Sequence, residues 1–140
     1  MEKTTKKYRI YLDDVRTPIN KTWTIVRNYD EFVFNLQKIG FDNIEIVSLD
    51  HDLDETAMKE WSTNVVKNYK INYDNIKEKT GYHCAKWLID NWLNGEKVFD
   101  VYTHSANAIG SANIMGIINN YRHLHNLPQN CVRINIEHTI

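Results

Sequence analysis

Short apolar runs alternate along this chain with segments of helical periodicity, and no other feature constrains its fold as strongly. Runs with the length and composition of buried strands lie at 8–12, 23–26, 44–49, 98–102 and 132–136. Strands that alternate with helices form mainly parallel sheets, because each helical connection returns the chain to the same edge. The sequence therefore predicts an α/β fold in which helices flank a mainly parallel five-stranded sheet.

Three helices are expected between these strands. Asp30 is the predicted N-cap of the first and Gly40 its stop, the second follows Thr80 and ends at 94–95, and the third carries the apolar positions of 114–124. Residues 15–22 are too few for a helical crossover, so one helix of a regular doubly wound fold is expected to be missing. Residues 54–79 have mixed periodicity and are predicted to be an insertion or a lid.

Length and charge limit the classes of function. A chain of 140 residues predicts one domain over 1–140. Its 17 basic and 18 acidic residues give a net charge of -1, which argues against a surface for duplex nucleic acid or an anionic membrane. Two cysteines without CxxC spacing, and no apolar run long enough to span a bilayer, favour a cytoplasmic protein. A small anionic ligand remains compatible with this composition.

Polar clusters follow three of the predicted strands, at the points where those strands end. Parallel sheets bind ligands outside the carboxyl ends of their strands, so these clusters are expected to meet there. Converging carboxylates repel one another unless a cation or an anionic substrate balances the charges. A metal site is therefore predicted, although each cluster alone would also suit an ordinary turn. The clusters are Asp13-Asp14-Val15-Arg16, Asp50-His51-Asp52 and Thr103-His104-Ser105-Ala106-Asn107.

The metal and the neighbouring polar residues leave alternatives open. Oxygen-rich clusters suit Mg²⁺ or Mn²⁺, and recruitment of His51 or His104 would shift the preference towards Mn²⁺ or Zn²⁺. Arg16 suits bidentate phosphate binding or an internal salt bridge to the nearby acids. Ser105 and Asn107 suit a phosphate cradle at a helix N-terminus, and the alternative there is ordinary capping of that helix by Asn107 or Ser111.

At these clusters the chain resembles the cyclic-phosphate processing receiver-like domains, and the resemblance spans most of its length. It implies a flavodoxin-like fold, acidic metal-binding residues at Asp13, Asp14 and Asp50, and hydrolysis of cyclic phosphates. The matching segments are Leu12-Asp13-Asp14-Val15-Arg16 with Pro18, Ser48-Leu49-Asp50-His51-Asp52-Leu53, Thr80-Gly81-Tyr82, and His104-Ser105-Ala106-Asn107 with Gly110, Ala112 and Asn113.

A phosphorelay receiver would place acids and a hydroxyl at the same positions. It also needs a lysine after its fifth strand, however, and residues 130–140 contain none. No amphipathic helix follows that strand either. Relay signalling is therefore disfavoured.

Two functional hypotheses follow. The first is a metal-dependent phosphoesterase that opens a cyclic phosphate in a nucleotide or nucleotide-derived substrate. Here His51 is the expected proton donor or charge stabiliser and His104 the base, and the substrate-binding residues are Arg16, Asp52, Ser105 and Asn107. The second is a binding module that sequesters a cyclic nucleotide without turnover.

Overall fold

The computed structural model describes residues 7–53, 71, 73 and 79–139. The predicted insertion or lid at 54–79 therefore lies outside the described residues, apart from Ile71, Tyr73 and Lys79. In the described ranges the strands are β1 (Tyr8–Leu12), β2 (Thr17–Pro18), β3 (Trp23–Val26), β4 (Ile44–Leu49), β5 (Asp100–Thr103) and β6 (His138–Thr139). The helices are α1 (Tyr29–Ile39), α2 (Gly81–Leu93) and α3 (Ala108–Leu124), with a 3₁₀ turn at Phe41–Asn43.

The main sheet is parallel and has the strand order β3-β1-β4-β5. Its register sets the strand ends level, because Leu12 lies opposite both Val26 and Leu49, and Leu49 lies opposite Thr103. The loops that follow β1, β4 and β5 consequently leave the sheet at one edge. The predicted α/β class is confirmed, and so is the expected convergence of these loops.

The fifth predicted strand, at 132–136, is reduced to a single parallel bridge between Arg133 and Thr103. Two backbone hydrogen bonds accompany it, from Thr103 N to Val132 O at 3.1 Å and from Ile134 N to Thr103 O at 2.8 Å. Because Val132 is 48% exposed, the segment has little apolar burial to hold it flat against the edge. The chain then turns away, so that β6 pairs antiparallel with β2, a small ribbon that the sequence did not predict.

The helices pack on the sheet through an apolar core. The helix boundaries lie close to those predicted from the sequence. Gly40 stops α1 at a positive φ of 89°, and Thr80 caps α2. The predicted N-cap Asp30 is wrong, because Asn28 caps α1 by accepting the Glu31 amide at 2.8 Å. No helix forms between β1 and β3, as expected. The core includes Ile10, Leu12, Val47, Leu49 and Val101 of the sheet and Phe32, Leu36, Leu88, Ile114 and Ile118 of the helices.

None of the helices in the described ranges is both long enough and apolar enough to cross a bilayer.

Two glycines allow α2 and α3 to approach the loop after β4. A Cβ at Gly81 would lie 1.9 Å from the carbonyl oxygen of Asp50, and one at Gly110 would lie 2.4 Å from Cγ of His51. Both distances are far below van der Waals contact, so a side chain at either position would displace the loop. Glycine at these positions therefore fixes how closely the helices hold Asp50 and His51.

Two glycines of the same helix are expected to respond oppositely to alanine. Gly110→Ala should lower the free energy of unfolding by about 1–3 kcal/mol, the usual range for overpacking, because its methyl group meets the His51 ring. Gly116→Ala should raise it by about 0.5–1 kcal/mol, because a Cβ there meets nothing within 4 Å and alanine favours the helix. Urea unfolding of both variants measures the difference. Equal effects at the two positions would contradict the close approach at Gly110.

Candidate metal centre

Three carboxylates meet where β1 and β4 end. Asp13 and Asp14 follow β1 and Asp50 follows β4, and one carboxylate oxygen from each lies within 4.8 Å of the other two. The backbone holds the two loops together, since the Asp50 amide donates to the Leu12 carbonyl at 2.9 Å. Asp13 and Asp50 are buried, and Asp14 is half-buried. Three converging carboxylate oxygens are a donor set that fits a hard divalent cation, so this cluster could hold one.

Asp13 is the most heavily bonded of the three carboxylates. Its Oδ1 accepts the amides of Val15 at 3.1 Å and Arg16 at 2.8 Å. Its Oδ2 accepts the Tyr11 hydroxyl at 3.2 Å and Arg16 Nε at 2.8 Å, and lies 3.2 Å from His104 Nε2. Burial alone raises the pKa of Asp13, but the bonds from His104 and the two amides outweigh it and hold that pKa well below its usual range. Asp13 is therefore a fixed negative charge.

Asp50 carries the opposite perturbation. Burial, followed by the negative charge of Asp13, raises its pKa to about 8, although the charge of Arg16 and a hydrogen bond with the Ser105 side chain both lower it. Burial and Asp13 also raise the pKa of Asp14. Near neutral pH, and without a cation, Asp50 therefore holds a proton that relieves the repulsion within the cluster. A bound cation would take over this task.

Arg16 forms the internal salt bridge that was one of its two predicted roles. Its Nε lies 2.8 Å from Asp13 Oδ2, and one terminal nitrogen lies 3.7 Å from Asp50 Oδ1. The side chain remains 33% exposed, so Arg16 is not fully enclosed by the acids. The salt bridge does not exclude the second predicted role, in phosphate binding.

Arg27 is a residue of this site that the sequence reasoning missed. Its guanidinium donates to the backbone carbonyls of Asp13 at 3.1 Å and Arg16 at 2.6 Å, and to Thr17 Oγ1 at 2.8 Å. It thereby holds the loop after β1 in shape. Arg27 directly follows β3, at the same sheet edge as the three polar clusters, and that position was the signal that could have revealed it.

His104 lies inside the acidic cluster, as its place after β5 predicted. Its ring stacks on Tyr11 with centroids 4.5 Å apart and planes inclined by 7°. Nε2 is 3.2 Å from Asp13 and Nδ1 is 2.8 Å from the Ser48 hydroxyl. Both ring nitrogens are thus held by protein groups. Ser48 and Tyr11 act here as orienting partners, which the sequence alone did not suggest.

His51 and Asp52 form a second group beside the acids. His51 is fully buried, with Nδ1 2.7 Å from Asp52 Oδ1 and Nε2 2.9 Å from the Tyr73 hydroxyl. Asp52 also accepts the Asn107 side-chain amide at 3.2 Å. Tyr73 was not predicted as a site residue, because it lies in the stretch of ambiguous periodicity.

Asn107 takes the capping role that was the predicted alternative to phosphate binding, and Ser105 supports it. Asn107 is the N-cap of α3, where its Oδ1 accepts the Gly110 amide at 2.9 Å. The Ser105 hydroxyl accepts the Asn107 amide at 3.1 Å. Both side chains are almost fully buried. Their predicted contact with a substrate remains a prediction.

In the main parallel sheet, β1 and β4 end in a shared acidic cluster. A parallel sheet with acids at these two strand ends is typical of a receiver-like domain. In agreement, the family model described as the cyclic-phosphate processing receiver domain matches residues 8–120, so the chain belongs to that family. Searches of curated proteins and of solved structures gave no match. The resemblance inferred from the sequence motifs is therefore confirmed at the level of the family.

We expect Asp14→Asn to weaken binding of Mn²⁺ by about tenfold or more. Loss of a residue that only hydrogen-bonds a metal ligand already lowers metal affinity by about 10–100-fold, and Asp14 would be a ligand itself. The stability of the metal-free protein should stay equal or rise slightly, because the repulsion between the Asp14 and Asp13 carboxylates is gone. Calorimetric titration and thermal unfolding measure the two effects. A large loss of metal-free stability would instead mean that Asp14 is structural.

The raised pKa of Asp50 predicts how the stability of the metal-free protein depends on pH. The native state binds the Asp50 proton more tightly than the unfolded chain does, so this stabilisation is present below about pH 4 and is lost as pH rises towards 8. Asp50→Asn removes this titration. In chelator, the variant should therefore gain stability relative to the natural chain as pH rises from about 4 to 8. A constant difference across that window would contradict the assignment.

Proposed function

We propose that this protein is a metal-dependent phosphoesterase that hydrolyses a cyclic phosphate in a nucleotide or nucleotide-derived substrate. The observation that carries the proposal is the acidic cluster of Asp13, Asp14 and Asp50 with the Arg16 guanidinium beside it. The family description, cyclic-phosphate processing, supports the choice of substrate class.

The three carboxylates would hold the cation, with Mg²⁺ or Mn²⁺ favoured by their all-oxygen donor set. When bound, such an ion lowers the pKa of coordinated water and offsets negative charge on phosphoryl oxygens. Asp13 enters this arrangement already charged and fixed by its hydrogen bonds, whereas Asp50 gives up its proton.

Arg16 would bind the phosphate through its guanidinium, because its side chain is 33% exposed beside the acids. The bond from its Nε to Asp13 fixes the plane of the group, and a planar, oriented fork suits the oxygens of a phosphate. Arg27 supports this arrangement indirectly, because it holds the backbone carbonyl of Arg16. Arg16 therefore serves both the cluster and the ligand.

His104 would serve as the base. It is buried beside Asp13, and the Tyr11 ring and the Ser48 hydroxyl fix its orientation. To accept a proton at Nε2, the ring would leave Asp13 and carry its own proton on Nδ1 instead, where the oxygen of the Ser48 hydroxyl can accept it. His51 is fully buried behind Asp52 and would act through that carboxylate, by stabilising charge at the end of the loop.

A second function deserves a test because one observation favours it. The ring nitrogens of His51 and His104 are all within hydrogen-bond distance of protein groups. A module that sequesters a cyclic nucleotide needs such fixed donors and acceptors, but it needs no group that can exchange partners during a reaction. This alternative uses the same acids and the same arginine.

Incubation with a panel of 2′,3′-cyclic and 3′,5′-cyclic nucleotides in Mg²⁺ or Mn²⁺ separates the two functions. An enzyme yields linear nucleotide in amounts that exceed the protein, and Asp50→Asn serves as the matched inactive control. A sequestering protein instead returns intact cyclic nucleotide after denaturation. Absence of both turnover and binding across the panel would refute both proposals.

We expect His104→Ala to lower kcat by about 100-fold with little change in ligand affinity, because general base catalysis acts in the transition state. His104→Gln is the matched variant, since its amide retains an N–H donor for Asp13 but cannot carry a proton. Both variants should lose turnover equally. Recovery of activity in His104→Gln would mean that His104 serves only to hold Asp13.

A further inference from the structure

A directed chain of hydrogen bonds surrounds His51. A carboxylate only accepts, so Nδ1 of His51 carries a proton and donates it to Asp52 at 2.7 Å. In the neutral ring Nε2 is then an acceptor, and it accepts the hydroxyl proton of Tyr73 at 2.9 Å. The Tyr73 oxygen accepts the side-chain amide of Asn113 at 3.2 Å. Every donor in the chain therefore has an acceptor, and the proton on His51 has one defined position.

Helix α3 anchors both ends of this chain. Asn107 donates to Asp52 at one end, and Asn113 donates to Tyr73 at the other. Gly110 lies midway between them, where its missing Cβ leaves room for the His51 ring. The imidazole is thus held by a carboxylate, a phenol and a helix surface.

The Tyr73 ring is itself fixed in place. It stacks on Tyr82 with centroids 5.1 Å apart, and the edge contact with His83 has a centroid distance of 5.5 Å. Burial raises the pKa of Tyr73 to about 12, so the phenol keeps its proton at neutral pH. The hydroxyl therefore stays a donor in a constant position.

We propose that Tyr73 is a positioning residue for His51. Asp52 sets the tautomer protonated at Nδ1, and the Tyr73 hydroxyl donates to Nε2 and holds the ring in one orientation, which keeps His51 and Asp52 joined beside the acidic cluster. The consequence for catalysis rests on the proposed function. The effect on His51 does not, because it exists in the protein without metal or substrate.

Nitrogen NMR of the imidazole rings in the metal-free protein tests the proposal directly. In the natural chain, His51 should give one protonated nitrogen, Nδ1, and one unprotonated nitrogen, Nε2. Tyr73→Phe keeps the ring packing but removes the hydroxyl, and it should shift the Nε2 signal while Nδ1 stays protonated towards Asp52. Tyr8→Phe makes the same chemical change at the opposite end of the sheet and should leave His51 unchanged. Identical His51 signals in Tyr73→Phe and the natural chain would overturn the proposal.

Turnover of a cyclic phosphate gives the second readout. Tyr73→Phe should lower kcat by about tenfold with KM unchanged, by analogy with the loss of partners that orient metal-ligating histidines. A shifted His51 signal with unchanged kcat would overturn the link between this orientation and the reaction. If no cyclic phosphate is turned over, the proposed function fails, but the NMR comparison still decides the role of Tyr73.

A second variant keeps the test valid if Tyr73→Phe does not fold. Asn113→Ala leaves Tyr73 in place and removes only the amide that orients its oxygen. The Nε2 signal of His51 should then shift in the same direction but by less. An unchanged signal in this variant, with Tyr73→Phe unfolded, would count against the proposal.

Discussion

The buried charge of Asp13 is the constraint on which the rest of the site depends. A carboxylate removed from water is costly unless donors surround it, and this one receives donors from its own loop, from Tyr11 and from His104. Burial and the fixed negative charge of Asp13 both make ionisation of Asp50 unfavourable, so the pKa of Asp50 rises. A positive charge bound near Asp13 and Asp50 would therefore be stabilised, and Arg16 supplies only one such charge.

Asp13 and Asp50 differ in environment more than in chemistry. Both are almost fully buried at neighbouring strand ends, yet hydrogen bonds favour the charged form of one and burial favours the neutral form of the other. A divalent cation and a proton therefore compete for the same position. The acidic cluster is a metal-binding candidate because three carboxylates converge there and two of them are almost fully buried from water.

Periodicity predicted the sheet and the place of the site. The runs at 8–12, 44–49 and 98–102 are mostly apolar and sharply bounded, so the polar residues after them could be located without a structure. The last strand was harder, because Val132 and Arg133 are exposed and the segment buries too little apolar surface to complete it. The cap of α1 was missed because Asn28 and Asp30 are both good capping residues, and only the backbone decides between them.

The partners of the site residues were less predictable than the residues themselves. Arg27 donates hydrogen bonds to backbone carbonyls of the loop after β1. Ser48 lies on β4 and contacts His104, which follows the neighbouring strand β5. Such contacts depend on the register of the sheet, which a single sequence does not specify. Tyr73 lies in a stretch whose spacing suits either a helix or a strand, so no pattern placed its hydroxyl beside His51.

The contact between Asp13 and His104 joins residues that are 91 positions apart. Closing so long a loop is slow compared with local helix formation, and the contact requires β5 to dock beside β4. The acidic cluster is therefore complete only when β5 lies in place beside β4. A ligand that recognises the finished site would bind the native state alone, and its concentration would directly stabilise the folded protein.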